Sequence, residues 1–326
     1  MGRNENSVAS RSANLMPSIG LIANPNSRRN RKDPDAMRAM LRYLGRDDEY
    51  VETGSTEEIA RVAARFRRRG IDVLGLNGGD GTLHATLTEF IRVYGNQPLP
   101  AIALLRGGTM NTVANSCGVR QGTPAELIKA LVGARRRGLP LAGVHRDIMR
   151  IDDRYGFIFG NGMVYEFIAQ YYSYGDPSVW SAFRTLIEGC ASVAVGGAIS
   201  QRMFRRFCAK VTVDGNRWPY PDYVSVVGST ISQVGLGFRP FVRHEERPHS
   251  FHILGLYTTA AGFALELPLI RLARPLNPKK IIDAVAEHAL FEADEPIKYI
   301  VDGDRYEGPK RLELGVGPRL KILLLR

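Results

Sequence analysis

Asn77-Gly78-Gly79-Asp80-Gly81-Thr82 places three glycines within four positions, directly after the apolar run IDVLGL (71–76). Without Cβ atoms such a segment turns tightly and lets its amides approach a polyphosphate. A helix is expected from about Thr82, so its positive end adds to anion binding. Asp80 would repel phosphate and is no ligand for it. It is read instead as holding Mg2+, directly or through water, or as accepting the proton of an attacking hydroxyl. A strand-end turn also uses glycines for geometry alone, but the acid inside this one serves no obvious turning role. Neither GxxxxGK[ST] nor GxGxxG occurs.

A second turn, Arg106-Gly107-Gly108-Thr109-Met110-Asn111-Thr112, follows the apolar run AIALL (101–105). Its hydroxyl and amide side chains suit phosphate oxygens; an Asn/Thr-capped helix start is the alternative. Asn24-Pro25-Asn26-Ser27 ends the run SIGLIAN (18–24) and, taken singly, is a common turn. Late in the chain, Asp302-Gly303-Asp304 is by itself an ordinary hairpin turn.

The elements that must position these turns alternate through residue 140. Strands are expected at 18–24, at EYVET (49–53), at 71–76 and at 101–105. Helices are expected over 33–45, from the Ser55/Glu58 capping box to Gly70, from Thr82 to about 93, and from Thr123-Pro124-Ala125-Glu126 onward. Such alternation predicts a parallel sheet covered on both faces, with ligands at the carboxyl ends of its strands. Both glycine turns fall there. From about 141 the pattern becomes mostly antiparallel β, interrupted by helices near 178–196, 258–273 and 278–288. The domains are therefore set at 1–17, a flexible tail; 18–140, an α/β domain; and 141–308, a β domain. The apolar run LKILLL (320–325) fits either domain.

Hydrophobic residues make up 44% and charged residues 24% of the 326 positions, which is ordinary globular composition and excludes disordered and collagen-like classes. No apolar run is long enough to span a bilayer; 179–197 contains Arg184 and Glu188, and 258–273 contains Glu266, Pro268 and Arg271. The first residues lack the apolar middle of a secretory signal. Cys117, Cys190 and Cys208 form no CxxC pair, which argues against zinc and disulfide scaffolds and for a reducing compartment. The net charge of +11 is concentrated at Arg28–Lys32, Arg65–Arg69, Arg135–Arg137 and Arg202–Arg206. These suit an anionic partner, although 65–69 and 135–137 also close predicted helices, where cations favour the dipole. The cluster at 28–32 falls in a predicted loop. Dispersed arginines without interleaved aromatics argue against nucleic acid.

Asn24-Pro25-x-Ser27, Gly78-Gly79-Asp80-Gly81-Thr82 and Gly108-Thr109-x-Asn111 resemble, in order and spacing, the diacylglycerol kinase catalytic family, which includes bacterial lipid kinases, sphingosine kinases and ceramide kinases. The resemblance is specific through residues 18–118 and looser afterwards. It implies a Rossmann-like, phosphofructokinase-like ATP-binding domain joined to a C-terminal antiparallel β-sandwich, with a segment at about 309–326 returning to the first domain. It implies that Asn24, Ser27, Thr53, Gly78, Gly79, Gly81, Thr82, Gly108, Thr109 and Asn111 bind ATP, that Asp80 serves Mg2+, and that Asp302 or Asp304 is the general base. Departures are His84-Ala85 where the family has Asn-Glu or His-Glu, Asn111-Thr112 for Asn-Asp, and Asp304 for Glu. Arg247-Pro248-His249-Ser250 replaces an acidic loop that holds a structural magnesium in some members. His84 itself is open to reading as a solvent-facing helix position.

The expected function is an ATP-dependent lipid kinase acting on diacylglycerol or a similar neutral lipid. It would be cytoplasmic and peripherally bound to an anionic membrane, and a homodimer is compatible. The alternatives are a soluble kinase of the NAD kinase type and a non-catalytic, nucleotide-gated lipid-binding protein.

Overall fold

A computed structural model describes residues 17–173 and 197–326. The expected tail, apart from Pro17, and the segment 178–196 with Cys190 lie outside the described residues.

Four parallel strands, β1 (Ile19–Ala23), β2 (Glu49–Glu52), β3 (Val73–Asn77) and β4 (Ala101–Leu104), lie in the order β2-β1-β3-β4. β1 and β3 are buried along their whole length, as strands covered on both faces must be. The helix Thr56–Arg69 starts where Ser55 accepts from the amide of Glu58 and stops at Gly70, whose φ of 65° only glycine adopts cheaply. Its Phe66 ring lies against Gly20, where any Cβ would collide, and meets Phe90 of the helix Asp80–Tyr94 edge-on at 6.1 Å. The helix Pro124–Arg136 carries the full Thr123/Glu126 capping box.

The single helix expected over 33–45 is broken. Residues Arg28–Lys32 form one short helix, Pro34–Arg38 a second, and Ala39–Tyr43 a 3-10 turn. Asp33 accepts from the amide of Ala36 at 2.8 Å and Pro34 occupies the first turn, so a new helix starts there. The basic cluster at 28–32 is therefore helical, not a loop.

In the second lobe a six-stranded antiparallel sheet runs in the order Ile281–Ala286, Phe251–Leu256, Ser225–Ser229, Ile158–Asn161, Lys298–Val301, Asp304–Glu307. Facing it are Lys210–Val213, His288–Glu292, Gly143–Ile151 and Arg311–Leu323, and Met149, Phe159, Phe251, Phe291, Tyr299 and Leu314 fill the space between. The helix expected at 278–288 is a strand over 281–286, where Ile281, Ile282 and Val285 pair with Phe251–Leu256. The helix Met163–Ser173 was not expected, because its Val, Phe and Tyr residues equally suit a strand.

Arg311–Leu323 passes through both lobes. Its first half pairs with His288–Glu292, and Ile322 pairs in parallel with Ile102 of β4. Gly143–Ile151 accompanies it, with a register shift between Val316 and Arg319. Leu312 and Leu314 belong to the second core, and Leu320, Ile322, Leu323 and Leu325 to the first.

Candidate active site

The turns after β1, β3 and β4 meet at the carboxyl edge of the parallel sheet. Asn24 donates to the Thr82 hydroxyl at 2.9 Å, and the Ser27 and Thr82 hydroxyls lie 3.4 Å apart. Asn30 donates to the carbonyls of Asn24 and Asn77, tying the first two turns together beneath the site. The glycines have a packing role beside their conformational one: a Cβ on Gly108 would strike the Cα of Gly79. Arg106, buried with φ of 56°, donates to the carbonyls of Val119 and Arg120 and to Asn115, which fixes the base of the second turn.

Asp80 opens the helix Asp80–Tyr94 and accepts from the amides of Thr112 and Val113 at 2.9 and 3.2 Å. It thus clamps one glycine turn to the other. Burial raises its carboxyl above the usual aspartate range, against the pull of those amides and of Arg106. Asn111 takes a left-handed conformation, φ 49°, and exchanges hydrogen bonds with Gly108, accepting from its amide and donating to its carbonyl. Neither Asn111 nor Gly78 lines the cleft, whereas Asn24, Ser27, Thr53, Gly79, Gly81, Thr82, Gly108 and Thr109 do. Asn111 and Gly78 shape the turns.

The late hairpin turn delivers two different acids to this edge. Asp302 and Gly303 both have positive φ, the signature of a tight Asp-Gly turn. Asp302 is buried and accepts from the amides of Phe157 and Ile158 at 2.8–3.1 Å. Burial, then repulsion from Asp80 and Asp304, lifts its carboxyl well above the usual range. Among the described residues Asp304 has no such partners, and its carboxylate stands 2.9 Å from where a Cβ on Gly81 would be. Burial and the nearby Asp80 raise it to about 6. Of the two cleft acids, Asp304 is the one whose oxygens are unengaged among the described residues, and Asp302 holds the turn.

His84 lies one helical turn beyond Asp80 and is 2% exposed, so it is not solvent-facing. Its Nδ1 is 2.6 Å from the Tyr155 carbonyl and its Nε2 is 2.8 Å from the Tyr306 hydroxyl. A carbonyl only accepts, so Nδ1 carries the proton and Nε2 accepts from the tyrosine. Burial keeps the ring neutral, with a pKa of about 4. The helix that starts with Asp80 and the strand that starts with Asp304 are joined through this one imidazole. Thr88 adds a reciprocal pair of hydrogen bonds to the Tyr155 backbone.

Past the acids the cleft continues as an apolar chamber, and the whole cavity measures about 920 Å³. Val164, Phe167, Leu254, Phe263, Leu267 and Ile281 line its far end, and Arg28 and Arg31 stand at the polar end. Sequence reasoning missed Val164 and Phe167, because their helix was not foreseen, and missed His84 and Arg106 as buried anchors. Two arginine clusters are spent on structure. Arg135 pairs with Asp48, and Arg69 pairs with Glu49 at 2.6 Å. No three His, Cys, Asp or Glu side chains among the described residues are grouped to cage a metal ion. The mutual repulsion of Asp80, Asp302 and Asp304 nonetheless suits a cation that arrives with nucleotide phosphates, as Mg2+ does.

A parallel sheet with glycine turns at its carboxyl edge, faced by a carboxylate from a second lobe, is an arrangement suited to phosphoryl transfer. The diacylglycerol kinase catalytic domain matches residues 18–144. Probable lipid kinase YegS of Salmonella arizonae is 32% identical over 148 residues, 45% of each chain. Its counterpart in Salmonella heidelberg is 31% identical over 144 residues, 44% of each. The match thus spans somewhat under half the length of these relatives. A putative diacylglycerol kinase from Bacillus anthracis str. Sterne superposes with a TM-score of 0.67 at 15% identity, covering 95% of this chain and 98% of that one. A second B. anthracis structure, a diacylglycerol kinase, gives 0.63 at 14%, with the same coverage. At such identity the likeness carries the fold.

Proposed function

We propose that the protein transfers the γ-phosphoryl group of ATP to the hydroxyl of a membrane lipid alcohol, diacylglycerol or a similar neutral lipid. The observation that carries this reading is the composite cavity: phosphate-type turns at one end, an apolar chamber at the other, and Asp304 between them. A dinucleotide acceptor gains nothing from the apolar end, which favours a lipid over an acceptor of the NAD kinase type.

In this reading the turns after β1, β3 and β4 hold the triphosphate, with Gly79, Gly81 and Gly108 allowing backbone amides close approach. Mg2+, when bound, would neutralise phosphate charge beside Asp80, directly or through water. The acyl chains lie among Val164, Phe167, Phe263 and Leu267, which brings the lipid hydroxyl to the acids. Asp304 takes the hydroxyl proton while the lipid oxygen bonds to the γ-phosphorus and the bond to the bridging oxygen breaks, releasing ADP. A carboxyl poised at about 6 is deprotonated at neutral pH yet basic enough to serve. Among the described residues no helix is long and apolar enough to cross a membrane; in this reading the enzyme is cytoplasmic and peripheral and draws its acceptor from the bilayer.

The test is transfer from γ-labelled ATP with Mg2+ into mixed micelles containing candidate lipids, followed by chromatography. A labelled lipid phosphate is expected. Saturable ATP binding with no labelled lipid would point to the non-catalytic, nucleotide-gated reading, and label on a water-soluble acceptor to the other.

A further inference from the structure

The helix Ala260–Arg271 is apolar on both sides, which a helix at a simple protein–water boundary is not. Phe263, Ala264, Leu267 and Ile270 face inward and line the cavity. Ala261, Leu265, Pro268 and, just past the helix end, Leu272 follow one another at spacings of four, three and four, so they share the opposite face, and all four are exposed. Leu265 is 71% and Leu272 68% exposed, the two highest values among the large exposed apolar side chains of the described residues. Scattered apolar residues on a surface need no explanation; an aligned stripe does.

The charge around the stripe has one sign. Arg271 and Arg274 flank Leu272, and Arg239 and Lys279 are exposed on the adjoining segments. Arg239 is placed there because its amide donates to the Ile270 carbonyl, and Arg271 donates to the Gly237 carbonyl at 3.2 Å. The helix's one acid, Glu266, is buried and turned inward, where it receives Lys280 at 3.2 Å and the Asn277 amide. The outward surface therefore combines exposed leucines with cations that pair with no acid among the described residues. Interfacial helices that lie on anionic bilayers carry this pairing of chemistries.

We infer that the outer face of Ala260–Arg271, with Leu265 and Leu272 inserted and Arg239, Arg271, Arg274 and Lys279 at headgroup level, docks the protein on an anionic lipid surface. The inner face of the same helix is a wall of the acceptor chamber. Docking therefore sets the chamber against the bilayer, and a lipid reaches it past a single helix rather than through water. The occupant is a membrane rather than a second copy of the chain, because the like charges that ring the stripe would repel across a two-fold axis. The inference rests on the lipid-acceptor reading for its purpose, but its test does not require turnover.

The experiment is co-sedimentation, without nucleotide, with phosphatidylcholine vesicles and with the same vesicles containing phosphatidylglycerol. Wild type is expected to pellet with the anionic vesicles and to be released by salt. L265E/L272E alters only exposed positions and should fold normally; it is expected to weaken vesicle binding by at least about tenfold. R239Q/R274Q/K279Q should bind more weakly with a flattened salt dependence. In kinase assays, L265E/L272E should retain turnover of a short-chain, water-soluble diacylglycerol while losing turnover of the vesicle-embedded form. Unchanged vesicle binding by L265E/L272E would overturn the inference. So would a wild-type dimer in sedimentation equilibrium that this variant dissolves, since the face would then belong to a second copy. Vesicle binding without phosphotransfer to any lipid would leave the docking intact and remove the kinase reading instead.

Discussion

The two ends of the cleft are built on opposite plans. The polar end comes from three turns within residues 24–112, positioned by backbone: Asp80 clamps the amides of Thr112 and Val113, and Gly79 touches Gly108. The apolar end comes from side chains scattered between Val164 and Ile281, most of them on helices and strands. A phosphate site tolerates no displaced amide, whereas a chamber for acyl chains needs only volume and an apolar lining. The polar end should therefore be brittle to single substitutions, and the apolar end tolerant unless its volume is filled.

The sharpest break between the ends lies at the late turn. Asp304→Asn is expected to lower kcat by about a thousandfold with no loss of melting temperature, since the proposed general base is lost and no hydrogen bond among the described residues goes with it. Asp302→Asn should show the reverse emphasis, losing about 1.5–3 kcal/mol because its amide cannot accept all the bonds from Phe157 and Ile158. Thermal denaturation beside kinetics on both variants checks the pair, and equal loss of activity at equal stability would erase the distinction drawn here.

At the apolar end, Ala264→Trp fills chamber volume. It should cut turnover of long-chain lipid by about tenfold or more while leaving nucleotide affinity unchanged, as titration with an ATP analogue would report. His84→Ala tests the link between the ends. It strips a partner from the Tyr306 hydroxyl and the Tyr155 carbonyl, costing about 2 kcal/mol, and should lower kcat several-fold with little effect on the KM for ATP.

The smallest effect is one of pH. Asp304 is raised from 3.8 to about 6, so the folded state binds its proton more tightly than the unfolded chain does. Its contribution to stability is complete below about pH 4 and is lost as pH rises through about 6, a change of about 1–2 kcal/mol after allowance for solvent screening. Asp304→Asn should abolish that loss in denaturant titrations across pH 4–7. In kinetics the same group predicts an acid limb falling below about pH 6.

How much of this could be read beforehand follows the same division. Three glycines in four residues after an apolar strand state a backbone requirement locally, so the polar end was legible without the fold. Asn111 shows the limit, because its type suited phosphate while its left-handed backbone turned it back on Gly108. His84 was ambiguous because helical periodicity marks apolar faces and is silent on a buried imidazole that has found two partners. The strand over 281–286 was misread because a short apolar run satisfies either period. The helix Met163–Ser173, rich in residues that favour strands, was lost for the related reason that tertiary packing overrides propensity.

The strand Arg311–Leu323 has a consequence for how the molecule comes apart and together. Each core counts residues of this one strand among its members, so neither can melt while the other keeps its packing, and denaturation should run as a single transition despite the two lobes. The same sharing slows assembly. The parallel sheet is incomplete beside β4 until Ile322 finds Ile102, a contact between distant parts of the chain, and the turn-bearing edge of the cleft forms on a sheet that waits for it.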